Sequence, residues 1–186
     1  MITTIRRSLA ATAMLASLSA SAAAQQRAGL MGDLMKDVSD VQGKLVGLAK
    51  AVPVAKYDWR PATGVRSIGE VFLHVAGDNY VMPWGVGVPA DPATGIKMND
   101  FKSVGAFEKQ TLDQGAMVAA IDKSFAHLLK AMSDTPDAKL DDHVTLFGMD
   151  MTVRRMWVMT TTHLHEHLGQ SIAYARSNAV VPPWSK

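Results

Sequence analysis

Three histidines fall within five positions near the C-terminus, in His163-Leu164-His165-Glu166-His167-Leu168-Gly169-Gln170. On a helix, His163 and His167 stand one turn apart, about 6 Å along the axis and about 40° around it. Two imidazoles so placed reach one transition-metal ion, as in other helical His-x-x-x-His sites. His165 lies about 200° around from His163 and points away. The pair supplies only two ligands, so a metal reading needs a third from elsewhere in the chain. Histidines at this spacing also occur as unrelated surface residues.

The rest of the composition narrows the chemistry. The chain has no cysteine, which excludes thiolate ligands and a cysteine nucleophile and leaves imidazole, carboxylate and water. It contains no serine elbow, phosphate-binding glycine loop, dinucleotide fingerprint or basic-aromatic stripe. Arg6-Arg7, the apolar run from Leu9 to Leu18 and the small residues Ala22-Ala23-Ala24 read as a secretory signal peptide over 1–24. That predicts export to the periplasm or beyond and a single mature domain over 25–186. The apolar run is too short to span a bilayer. The formal charge is +2, and Arg6 and Arg7 account for it, because all 17 acidic residues lie in the mature part. A neutral mature domain carries no electrostatic footprint for nucleic acid or an anionic membrane, which points to a small-molecule substrate.

The elements that must position the histidines can be read from apolar periodicity. A first helix is predicted from about Gly29 to Val52, closed by Pro53. A second opens on the capping-box pattern Ser67-Ile68-Gly69-Glu70 and runs toward Pro83. A third spans about Thr111 to Met132, and a fourth, with Asp150 as N-cap, carries His163 and His167 and ends near Asn178. Between the second and third, the Gly/Pro-rich stretch Trp84 to Ser103 is long for a helix connection and reads as a lid or as a plain surface excursion. Asp142 to Met149 alternates briefly and predicts a short β-hairpin. The expected fold is all-α, a four-helix bundle with a long connection between helices 2 and 3 and a hairpin before helix 4. Oligomeric state is not readable, although bundles with apolar outer faces often form homodimers.

Bundle sites are built in the core from side chains on facing helices. His74, in the middle of the second helix, is the candidate third ligand. A lone helical histidine is also a common hydrogen-bonded core residue. Three neutral imidazoles would leave one position of Zn²⁺ or Ni²⁺ open to water, as in catalytic sites.

Tyr57-Asp58-Trp59-Arg60-Pro61, then Gly64-Val65-Arg66-Ser67-Ile68-Gly69-Glu70 and His74, resemble the first half of DinB-like proteins. His163-x-x-x-His167-x-Gly169-Gln170 and the closing Val181-Pro182-Pro183-Trp184-Ser185 resemble their second half. The resemblance implies an up-down-down-up bundle holding a divalent metal through His74, His163 and His167. It also implies kinship with thiol-dependent transferases and isomerases that use mycothiol, bacillithiol or glutathione, so a thiol cofactor is a further expectation. Two features depart from the family. Leu168 stands where many relatives have arginine, and the export signal sits poorly with cytosolic thiols.

Asp78, four residues after His74, is a candidate general base or ligand-orienting group, with a solvated surface carboxylate as the alternative. Glu166 falls beside the site, and the spacing is not His-Glu-x-x-His, which excludes the corresponding metalloprotease motif. Gln170 with Gly169 reads as a structural pair, the glycine permitting close packing. Tyr57, Trp59 and Trp184 read as caps on the core, His127 and His143 as outside the site, and Met149, Met151, Met156 and Met159 as core filler rather than copper ligands. The function expected is that of a metal-dependent hydrolase or thiol-dependent transferase. The alternative is a non-catalytic binding or stress-response protein braced by its metal.

Overall fold

Five helices and one hairpin build the chain in a computed structural model that describes residues 27–185. The predicted signal peptide over 1–24 lies outside the described residues. Helix α1 (Gly29–Ala51) buries Val38, Val41, Leu45 and Leu48 on one stripe, and Val52 ends it in extended backbone ahead of Pro53. Helix α2 (Ile68–Val81) starts where the capping box predicts. Ser67 Oγ accepts from the Glu70 N–H at 3.3 Å, and Glu70 Oε2 accepts from the Ser67 N–H at 2.7 Å.

Only Glu70 and Asp78 of α2 escape burial, so this helix is apolar nearly all round and lies inside the structure. It packs against α4 (Gln114–Asp134) and α5 (Val153–Ser177), and α1 packs against the same two helices from the other side. Phe72, Phe125, Leu128 and Trp157 fill the space between them. A buried hydrogen bond from Asn79 Nδ2 to Ser124 Oγ, 3.0 Å long, ties α2 to α4. No described helix is long and apolar enough to cross a membrane.

Several boundaries differ from expectation. The connection after α2 is not featureless: it forms 3₁₀ turns at Met82–Val86 and Pro92–Thr94 and then α3 (Phe101–Glu108). Helix α3 makes a fifth helix that the four-helix expectation omits. Its N-cap is Asp100, whose carboxylate accepts from the Lys102 and Ser103 N–H groups. It lies on α2, with Val104 and Phe107 beside Gly77, where a Cβ would already touch both at about 3.5 Å.

The hairpin predicted from alternation is present as β1 (His143–Leu146) paired antiparallel with β2 (Met149–Thr152). Phe147 and Gly148 form its turn, both at positive φ, as a two-residue turn between twisted strands demands. This pairing takes Asp150 into β2 opposite Thr145, so it does not cap α5 as expected. Thr152 does, its hydroxyl accepting from the Arg155 N–H at 3.1 Å. Asp150 instead accepts a hydrogen bond from exposed His143. Of the four methionines read as filler, Met156 is fully buried, whereas Met149 is exposed on the hairpin.

Because α2 is the internal helix, its start is the point where a local change reaches the whole packing arrangement. Ser67→Ala removes one arm of the capping box and is expected to cost about 1 kcal/mol. In urea unfolding this appears as a lower midpoint at unchanged slope.

Candidate metal centre

The α2–α5 seam brings His74, His163 and His167 together, with one nitrogen from each lying within 4.8 Å of the others. This group is able to hold a metal ion. His74 and His167 are buried and His163 is half-buried. The helical geometry sorts the C-terminal cluster as its spacing predicts: His165 faces solvent and its Nδ1 bonds the Thr161 carbonyl one turn back.

The proton positions follow from the neighbours. His74 Nδ1 lies 2.8 Å from Glu108 Oε1. An ionised carboxylate only accepts, so Nδ1 carries a proton, and in the neutral ring the His74 Nε2 lone pair is bare. His167 Nδ1 donates in the same way to Gln170 Oε1 at 2.8 Å, while the Gln170 amide donates to the Tyr174 hydroxyl. His167 Nε2 is therefore bare as well.

These two nitrogens face each other at 3.1 Å. With both Nδ1 atoms protonated, neither Nε2 of a neutral ring has a hydrogen to offer the other. A proton or a metal cation between them would relieve that repulsion. Two nitrogens each about 2.0–2.1 Å from a tetrahedral zinc ion lie about 3.3 Å apart, close to the observed separation. The donor set thus fits a divalent transition metal. Burial, with smaller like-charge contributions from His163 and His74, holds the His167 imidazole below its ordinary value, in the neutral form that coordination needs.

Asp78 is drawn into the site. Its Oδ2 accepts from His163 Nε2 at 2.6 Å and lies 3.3 Å from His74 Nε2. Coordination by that His163 nitrogen therefore requires its proton to leave, so proton release accompanies metal binding through it.

Glu108 is a site residue that the sequence reading missed. It is the last residue of α3, and besides His74 it meets Arg66, whose Nε and Nη2 are both 3.2 Å from Oε2. Burial pushes its carboxyl up, but the His74 and Arg66 contacts outweigh this and hold it below the usual range. The spacing of Phe101, Val104 and Phe107 behind the cap residue Asp100 was the available signal for α3. Gln170 also departs from its structural reading. It is one turn after His167 on the same face and orients that ring. Nothing lies within 4 Å of where a Gly169 side chain would begin, so close packing does not explain the glycine. Leu168 is buried, and Arg66, from the loop before α2, reaches the site through Glu108. Tyr57 is buried and donates to the Ala49 carbonyl, and Trp59 stands edge-on to Tyr174. Exposed Glu166 and the Arg66 loop border an opening of about 500 Å³ beside His167.

Fold and site together define a mainly helical protein with a buried three-histidine group able to hold a metal ion. The family model described as the DinB superfamily matches residues 38–171, and the chain belongs to that family. No curated protein matches the sequence. A DinB-like protein from Bacillus cereus has the same fold, with a TM-score of 0.64 at 16% identity, over 83% of this chain and 95% of that one. A DinB-like protein from Bacillus subtilis gives 0.59 at 14% identity over 79% and 92%. A mycothiol-dependent maleylpyruvate isomerase gives 0.57 at 15% identity over 75% of this chain and 60% of that one.

If Gln170 sets the tautomer of His167, its loss should be felt at the ion. Gln170→Ala is expected to weaken zinc binding about 10- to 100-fold, whereas His165→Ala leaves it unchanged. Competition against a chromogenic chelator reads both.

Proposed function

We propose that this protein is a metal-dependent enzyme, a hydrolase or thiol-dependent transferase, acting on a small-molecule substrate at the His74–His163–His167 group. The observation that carries the reading is the pair of bare Nε2 atoms held face to face by Glu108 and Gln170. Zinc or nickel suits three imidazoles, and such an ion supplies Lewis acidity that lowers the pKa of a coordinated water or thiol. The four long helices are read as the family's bundle, whose facing helices α2 and α5 carry the ligands. The fold shared with a mycothiol-dependent isomerase supports the transferase branch and a thiol co-substrate. Localisation outside the cytoplasm rests on the signal-like residues 1–24 and would leave Gln25 as the N-terminus of protein released by osmotic shock.

The protein's own groups divide the remaining work. His74 and His167 are fixed in orientation, because their outer nitrogens are held by hydrogen bonds. Asp78 Oδ2 is placed to take a proton from a molecule bound beside His163. The half-buried His163 faces the approach, and the buried helix faces behind it exclude water.

Two measurements test the reading. Natively purified protein is expected to carry close to one metal ion per chain, and the His74→Ala, His163→Ala double variant close to none. Equal metal binding by the two overturns it. On whichever ester, amide or thiol-conjugation substrate is turned over, Asp78→Asn should lower kcat about 10²- to 10⁴-fold with metal content retained. Strong stabilisation by the ion with no turnover anywhere in such a screen would instead identify a metal-braced binding protein.

A further inference from the structure

A second opening onto the same histidines has a different character from the one beside His167. It is a cavity of about 410 Å³, within the range of small-molecule sites, with Asp78 and His163 in its wall and Val81, Met159, Phe101 and Phe147 around them. Asp78 is its only carboxylate, and no lysine or arginine reaches it. The cations near the site border other openings: Arg66 lies beside His167, and Arg60 and Lys109 lie beside Glu108. Without a bound cation, an anionic ligand would therefore meet repulsion from Asp78 with no lysine or arginine to offset it, whereas an apolar one gains contact.

The mouth of this cavity carries two aromatic rings, Phe101 and Phe147, that stand outside the buried core. Trp84, buried, stands 5.7 Å from Phe101, and Phe101 stands 5.9 Å from Phe147. The two phenylalanines are 54% and 43% exposed, so burial does not account for either. Phe147 also sits at φ +54°, at the first turn position of the hairpin, where asparagine or glycine is accommodated at less cost. A large ring is thus held at a conformationally expensive place, in the open, beside His163 and Asp78.

We infer that this cavity seats an uncharged amide or ester with an aromatic or bulky aliphatic body, the body against Phe101 and Phe147 and the polar end at His163 and Asp78. The polar end rests on the reading of the histidine group given above; the seat for the apolar body does not.

Amide shifts of the ¹⁵N-labelled protein, zinc-loaded and chelator-treated, separate the two. Phenylacetamide is expected to move the Phe101, Phe147 and Val81 signals saturably in both forms. Acetamide at the same concentration should not, and phenylacetate should bind several-fold more weakly to the chelator-treated form. Phe101→Ala and Phe147→Ala, both changes at exposed rings, should each weaken phenylacetamide about 2- to 10-fold with zinc content unchanged. The inference is overturned if acetamide moves the same signals equally, if phenylacetate binds the chelator-treated form as well as the amide does, or if the alanine variants bind like the wild type. It is also overturned if the shifts follow protein concentration rather than ligand, which would make the mouth an interface between copies. Zinc bound without any response to phenylacetamide sinks this inference and leaves the metal reading standing. Phenylacetamide bound through Phe101 in a protein that takes up no zinc does the reverse.

Discussion

Two imidazole nitrogens, 3.1 Å apart across the α2–α5 seam, set the constraint on which the site depends. Such a pair is unfavourable unless a cation lies between them, and it exists only because each ring is held from behind. Glu108 fixes His74 and Gln170 fixes His167, each through an Nδ1 hydrogen bond of 2.8 Å. Without those bonds either ring could shift its proton to Nε2 and close a hydrogen bond to the other, leaving one lone pair fewer for a metal ion. The outer bonds therefore matter as much to the chemistry as the ligands do.

The need to hold His74 explains much of the surrounding architecture. Helix α2 is buried on almost every side, so its rotation is fixed by α4 and α5 packing rather than by an amphipathic stripe. Helix α3 is a short addition with a limited core of its own. Seated against Gly77 through Val104 and Phe107, it ends where Glu108 can reach His74. Arg66, from the loop that leads into the capping box, in turn holds Glu108. A chain of contacts thus runs from the start of α2 through the end of α3 to the metal centre. Asp78, the other α2 residue besides Glu70 that is not buried, lies between this chain and His163. Helix, tautomer and carboxylate are positioned by the same packing.

The parts legible in sequence are those governed by local rules. The stripe Val38, Val41, Leu45 and Leu48 announces α1, Ser67 and Glu70 announce α2, and the alternation after Asp142 announces the hairpin. The spacing of His163, His165 and His167 separates the pair that shares a face from the histidine that points away before any fold is known, because helical geometry alone decides it. Misreadings fall where two local signals compete. Asp150 looks like a cap, but strand pairing claims it and the cap passes to Thr152. Phe101 to Glu108 follows a stretch rich in glycine and proline, and eight residues are too few for its three-residue periodicity to stand out from that stretch.

By itself the sequence determined which residue types are present and how far apart they stand along each helix. Those facts settle the helical character, the missing thiols and the direction in which each histidine of α5 points. They are short-range quantities, set by 3.6 residues per turn and by side-chain chemistry. Only the tertiary structure decided which groups meet. Glu108 is 34 residues from His74 along the chain, and Asp78 is 85 from His163. No periodicity links such pairs, because their encounter depends on how α2, α3 and α5 pack. For the same reason Phe101 and Phe147 read separately as ordinary apolar residues. Folding makes them one aromatic mouth beside the histidines.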